Sequence, residues 1–406
     1  MRDAARRALS GLAGRHWIVT LAALESFRAG LLIVGLPVKL NRLGWTDIEL
    51  GLFAGLGAAV YALSCVLYGR VVHRAPLRLL MNVSAWLCVG LSVALAMVDS
   101  KAALFVLGAV HALAISFFWP SLMAWIGESH DDHLVGDMAA FNGSWTLAVT
   151  LGFLAGGQIE QARPGLALYA VAGVVLVLAL LIPFAHIRGG MGSREAAAVP
   201  PEAVILPRRF LAAGWVAAFL VTLSAAVPEA IFVKLNADLG YSASDYGLFF
   251  TVRGAVQAAV VLGLGVFRGW RYRRWPLVAC LVASAAGGGL LAVAQGRGMF
   301  LVGFGLLGAG MGAGYSLGFF YSIHGRRDRK RNAGFFEALI SSQSIVGGPL
   351  GGWLAAARDR RTPYAAMAAA ACLAALAQVV LLWRAPARMR EMSAQRAARR
   401  GSGSEL

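Results

Sequence analysis

The stretch Val38–Phe53, VKLNRLGWTDIELGLF, is written a second time at Val233–Phe249 as VKLNADLGYSASDYGLF. Val38, Lys39, Leu40 and Asn41 return as Val233, Lys234, Leu235 and Asn236, and Gly44, Gly51, Leu52 and Phe53 return as Gly240, Gly247, Leu248 and Phe249. Trp45 and Thr46 are matched by the related Tyr241 and Ser242. Fainter echoes pair Phe117-Phe118-Trp119 with Phe319-Phe320-Tyr321, and Ala139-Ala140-Phe141 with Ala333-Gly334-Phe335. A period of about 195 residues is far longer than a stacked solenoid unit. One half of the chain therefore duplicates the other.

Composition says what kind of duplicate it is. Of 406 residues, 59% are hydrophobic and only 14% charged, and the mean hydropathy is +0.68, outside the range of soluble globular domains. Apolar runs of about 20 residues, each long enough to cross a bilayer core, follow one another throughout. Twelve such spans are predicted, at about 17–40, 47–68, 79–98, 103–125, 138–159, 165–187, 209–235, 247–267, 276–295, 299–323, 333–355 and 362–384. An even number puts both termini on one side. The expected class is an all-α membrane protein of two pseudo-symmetric six-helix bundles. Its parts are 1–188, a Gly/Pro-rich linker 189–208, 209–385, and a basic tail 386–406. Two lipid-embedded repeats enclosing a site at their interface are the architecture of a carrier.

The formal charge of +17 is not the footprint of a nucleic-acid surface, because arginine crowds into alternate loops. Arg70, Arg74 and Arg78 lie on one side, with Arg271, Arg273 and Arg274, the run Arg326–Arg331 and the Arg-rich tail. That bias places both termini in the cytoplasm of a cytoplasmic (inner) membrane. The loop Glu128–Asp137 is the acidic exception. Cys65, Cys88, Cys280 and Cys372 all fall inside spans and read as packing residues. Ser129–His133 (SHDDH) reads as a loop balancing nearby arginines rather than a metal site. No cofactor or metal is expected, and no nucleotide-binding, metalloprotease or nucleophile-elbow motif appears, so the chain reads as a non-enzyme. The partners expected are a small molecule, protons and the lipid bilayer, around a monomer.

Twelve spans, a six-plus-six duplication and a mid-chain linker resemble the major facilitator superfamily over essentially the whole chain. The loop after span 2, GRVVHRAPLR, keeps Gly69, Arg74 and Arg78 of that family's Gly-x3-Asp-Arg-x-Gly-Arg-Arg pattern, with His73 in place of the acid. The loop after span 8 keeps Gly265, Arg273 and Arg274. Span 5 carries GSWTLAVTLGFLAGG, similar to the antiporter pattern of the family, with Gly143, Gly152, Gly156 and Gly157 kept and Phe153 replacing proline. Span 4 has His111 in the region where drug–proton antiporters place arginine. The resemblance implies alternating access around a midplane cavity. It also implies a cytoplasmic gate, in which Arg74 meets Glu128 or Asp137 and Glu337 meets Arg271 or Arg273.

Ionised side chains in lipid cost about 2.5–3.5 kcal/mol at a helix centre, so those present face a partner or a wet cavity. Glu25 and Arg28 stand one turn apart on span 1. Glu229 and Arg253 lie at equal depth, roughly 9 Å in, on consecutive antiparallel spans and are expected to pair. Cavity candidates are Glu25, Arg28, Tyr61, His111, Trp119, Asn142, Trp145, Glu229, Arg253, Phe320 and Tyr321, with Glu25 and Glu229 as proton carriers. Glu25→Gln is expected to abolish proton-driven flux in a folded protein. Export of amphipathic compounds is one reading of the function, proton-coupled uptake of a nutrient or organic acid is a second, and a non-transporting scaffold or sensor is a third.

Overall fold

The duplicated stretch is a helix corner built from two caps. In the computed structural model, α1 (Arg2–Arg42) ends on Gly44 and α2 (Asp47–Val71) begins after Thr46. The Trp45 N–H donates to Leu40 O and the Gly44 N–H to Asn41 O, the 6→1 and 5→2 bonds that close a helix on a left-handed residue. Gly44 has φ 72° and Gly240 φ 71°, a conformation that favours glycine. The second copy repeats the bonds, Tyr241 to Asn236 O and Gly240 to Ala237 O.

The next helix then opens on a capping box. Thr46 and Glu49 exchange bonds of 2.7 and 3.2 Å, as Ser242 and Asp245 do at 3.2 and 3.1 Å. Each acid also takes a base from the first residue of a later helix, Lys101 at 2.7 Å and Arg297 at 2.8 Å. Ring contacts are duplicated too: Trp45–Phe53 centroids lie 5.6 Å apart and Tyr241–Phe249 5.8 Å.

The structure describes residues 2–71, 75–127, 131–185, 208–267, 269–271, 273–323 and 329–383. For 2–15, 68–71, 126–127, 131–139, 208–209, 323, 329–331, 333–334, 381 and 383 it gives the backbone path only. Beyond α1 and α2 the helices are α3 (Leu77–Met97), α4 (Lys101–Ile115), α5 (Trp119–Gly127), α6 (Asp131–Ala162) and α7 (Leu166–Leu181). The second set is α8 (Arg208–Asp238), α9 (Ala243–Val266), α10 (Trp275–Val293), α11 (Arg297–Ile323), α12 (Arg329–Ala357) and α13 (Thr362–Trp383). Among the described residues there is no strand, and ten helices are long and apolar enough to cross a membrane. The chain is a multi-pass membrane protein.

Two of the twelve expected spans, α6 and α12, are long enough but more polar, and α6 packs on α1 and α9 as α12 packs on α2 and α8. The expected span 4 is not one straight helix. Pro120 offers no N–H and its ring crowds the carbonyl four residues earlier. The helix breaks at 116–118, where Phe117 and Phe118 bond only three residues back.

Between the basic loops at one end and the Gly44/Gly240 turns at the other, the core changes character. At the turn end one apolar cluster runs through both sets of helices, from Val34, Trp45 and Leu50 to Phe232, Phe249 and Tyr364. Toward the basic end it divides. One cluster, with Met81, Phe118 and Val175, belongs to the first set, and another, with Phe210, Leu277 and Tyr321, to the second. The two sets are fused at the turn end and parted at the basic end. Outward-facing Leu63, Val83, Trp86, Val266, Trp353 and Leu373 are exposed, as a lipid-facing belt requires.

Candidate functional site

Where the two sets part, they enclose a cavity of about 1330 Å³ lined by α1 to α6 on one side, α3 through Leu95 alone, and by α8, α9, α11 and α12 on the other. Its wall is largely apolar, with a few ionisable groups.

On the first wall, α1 presents Arg28 and α4 presents His111. Arg28 Nη1 lies 3.2 Å from His111 Nε2. A guanidinium can only donate, so the ring nitrogen accepts. The other side of the guanidinium meets the Glu25 carboxylate one turn away. Glu25, Arg28 and His111 are all buried. Only Arg28 and His111 line the cavity; Glu25 stands behind them. The expected pair forms, and His111 is its third member.

On the second wall the order is reversed. Glu229 faces the cavity and Arg253 sits behind it, joined at 2.5 Å. Arg253 also donates to Ala225 O at 3.3 Å and lies 4.8 Å above the Phe250 ring and 5.5 Å from Phe153. Phe153, the residue that replaces proline in the span 5 pattern, thus carries a cation–π contact across the seam between the sets. Glu229 is 30% exposed and Arg253 3%, so water reaches the carboxylate and not its partner.

The remaining candidates divide. Tyr61, Trp119 and Trp145 line the cavity, whereas Asn142 does not; it accepts from Trp145 Nε1 at 3.2 Å. Phe320 and Tyr321 are turned away. Phe320 packs on Trp270 and Tyr321 on Phe210, while Tyr315 and Phe319 of the same helix occupy the wall. Glu337, expected at a cytoplasmic gate, lines the cavity and bonds to Tyr315. Arg271 lies over the Phe320 ring at 5.3 Å and Arg273 is exposed. Arg78 is exposed as well. Arg74 and Glu128 fall outside the described residues, with 69 and 137 described in backbone only, so the expected latch there lies beyond them. Ser129 and His130 are likewise outside, and among the described residues no cluster of metal-ligating side chains occurs.

A lock at the turn end had no local signal in the sequence. Arg360, in the turn before α13, bonds both Asp238 at the end of α8 and, at 3.1 Å, Asp47 at the start of α2. It ties the two sets together across the closed end, and the Lys234 ammonium adds to the same group of charges. Lys234 is available because the copies diverge. Lys39 caps α3 through Leu95, Ala96 and Val98 carbonyls at 2.7–2.9 Å, whereas α10 is capped by Arg361 through Ala292 and Ala294. Arg360→Gln is expected to loosen the closed end without unfolding either set. The check is faster labelling of a turn-end cysteine, with an unchanged melting temperature.

Residues 214–404 match the family described as Major Facilitator Superfamily. No curated protein matches the chain significantly. Among solved structures, the nucleoside transporter NupG is similar at 13% identity and a TM-score of 0.74, over 91% of this chain and 99% of that one. A bacterial homolog of the human lysosomal transporter Spinster, inward-facing, is similar at 14% and 0.69, over 93% and 94%. The peptide transporter POT is similar at 12% and 0.71, over 91% and 94%.

Proposed function

We propose that the chain is a secondary active transporter of the Major Facilitator Superfamily working by alternating access, because residues 214–404 match that family and the whole chain is similar in fold to solved transporters. In this reading twelve spans form two bundles, 1–188 and 209–385, joined by the linker 189–208, with both termini in the cytoplasm of the cytoplasmic membrane. The bundles rock about the cavity, which stands open at the basic end and closed at the turn end.

The observation that carries the proposal is the cavity itself, walled by both repeats and sealed at one end by contacts between them. Sites for organic solutes are mostly apolar, with a few polar anchors. Tyr61, Trp119, Trp145 and Phe319 supply apolar surface here, and Arg28 and Glu229 supply anchors on facing walls. That balance favours a small amphipathic compound, exported against an inward proton gradient. Glu229 is the group assigned to carry the proton, since it both faces the open cavity and bonds the Arg253 guanidinium behind it.

Proteoliposomes with an imposed pH gradient and a panel of fluorescent amphipathic dyes test this. Dye movement that a protonophore collapses is the expected result. Movement of small organic acids with none of the dyes would replace export by uptake. Glu229→Gln is expected to keep dye exchange between equal solutions and to lose accumulation against a gradient. Unimpaired accumulation in that variant removes Glu229 from coupling.

A further inference from the structure

We infer that Glu337 is the seat for the positively charged head of an organic cation, a step that rests on the carrier reading above and names the substrate class. Three carboxylates bear on the cavity: Glu25 from behind Arg28, and Glu229 and Glu337 on its wall. Two are matched by an arginine, Glu25 by Arg28 and Glu229 by Arg253. Glu337 is not. Its bond is to the Tyr315 hydroxyl, and among the described residues no lysine or arginine pairs with it. The pairs cancel, and among the described residues Glu337 is the one cavity-wall carboxylate left without a cationic partner.

A lone carboxylate within a membrane-spanning wall is costly unless it is hydrated or meets a cation. The surroundings select what kind. Tyr315 and Phe319 stack with centroids 6.4 Å apart beside Glu337 on the second wall. Tyr61 lines the first wall of the same cavity. Aromatic faces attract a weakly hydrated ammonium or phosphonium, whereas a small metal ion needs a shell of oxygens. The space is also far too large for a bare ion. The geometry therefore assigns a monovalent cation with an apolar body, its head between Glu337 and the tyrosines and its body toward Trp119 and Trp145.

Tetraphenylphosphonium and tetraphenylborate have the same shape and opposite charge, which makes them the probes. Purified full-length protein in detergent is expected to bind tetraphenylphosphonium saturably and to bind tetraphenylborate at least about ten-fold more weakly, a difference of about 1.4 kcal/mol. Glu337→Gln, which keeps a partner for Tyr315, is expected to weaken tetraphenylphosphonium about ten-fold or more, and Glu337→Asp only a few-fold. A quaternary ammonium salt is expected to compete and sodium is not. Equal binding of the two probes overturns the inference. So does unchanged affinity in Glu337→Gln whose melting temperature matches the native protein, or competition by sodium alone. Flux of other solutes in proteoliposomes alongside any of these results would leave the carrier reading standing. A protein whose turn end never opens to labelling would sink that reading separately.

Discussion

Replacing Gly51 with leucine is expected to abolish transport in a protein that still folds. A Cβ at Gly51 would stand 2.2 Å from the Gly348 carbonyl oxygen and 3.2 Å from Gly352 Cα, and one at Gly352 would stand 2.3 Å from Asp47 O. These are backbone atoms, so no rotamer change relieves the overlap. In lipid, close backbone approach of this kind takes the place of a hydrophobic drive between helices. The crossing joins α2 to α12, and Gly157 against Gly247 joins α6 to α9 in the same way. Both contacts link one set of helices to the other near the turn end. A side chain there pushes the sets apart without entering either interior.

The state closed at the turn end should then be lost and the opposite one favoured. Ala230→Cys, on the cavity wall and buried, reports it in a background without the native cysteines. An impermeant maleimide added from the turn side should label it rapidly in the Gly51→Leu variant and slowly otherwise. Slow labelling in both would mean that the crossing is not part of the gate. Gly152→Leu supplies the contrast. Its Cβ would lie 2.3 Å from Phe27 O inside the first set, where α6 crosses α1, so loss of folded protein is expected.

The same distinction governs what the sequence could disclose. The duplicated corner was legible because both of its caps are local: Gly44 and Gly240 close one helix, and Thr46 and Ser242 open the next within a few residues. Depth was legible as well, since 1.5 Å per residue put Glu229 and Arg253 level, and they meet at 2.5 Å. Direction around a helix was not. Phe320 and Tyr321 lie on the right turn of α11 and face the wrong way. Phe319, the residue just before Phe320, and Tyr315, about one turn before Phe319, reach the cavity instead.

Glu337, expected at a cytoplasmic gate, also lines the cavity, which spacing along the helix does not disclose. Its position near the basic end is the same whether it looks toward the loops or into the cavity, and only packing decides. Arg360 and Asp47 are 313 positions apart, joined by nothing until the two sets close on each other. The capping boxes at Thr46–Glu49 and Ser242–Asp245, by contrast, are local and legible from spacing alone.

Glu25→Gln is the second substitution with a large expected effect, and the structure changes what it should do. With Glu25 fully buried and Arg28 bonded to it and His111, the carboxylate is what permits a guanidinium at this depth. Removing one partner of a buried pair typically costs about 3–5 kcal/mol, because the other charge is left uncompensated. Glu25→Gln should therefore lower the melting temperature and the yield of folded protein, and lost flux in it says nothing of coupling. The informative variant removes both charges. Glu25→Leu with Arg28→Met puts apolar groups of similar volume in place of the pair, a change often neutral or stabilising. Its melting temperature is expected to return to the native value or above. If Arg28 anchors solute at the cavity wall, this stable protein should bind and move solute at least about ten-fold less well, a loss of about 1.4 kcal/mol at one anchor. If it transports as the native chain does, the pair serves only to hold α1 against α4, and the wall's working charges reduce to Glu229 and Glu337.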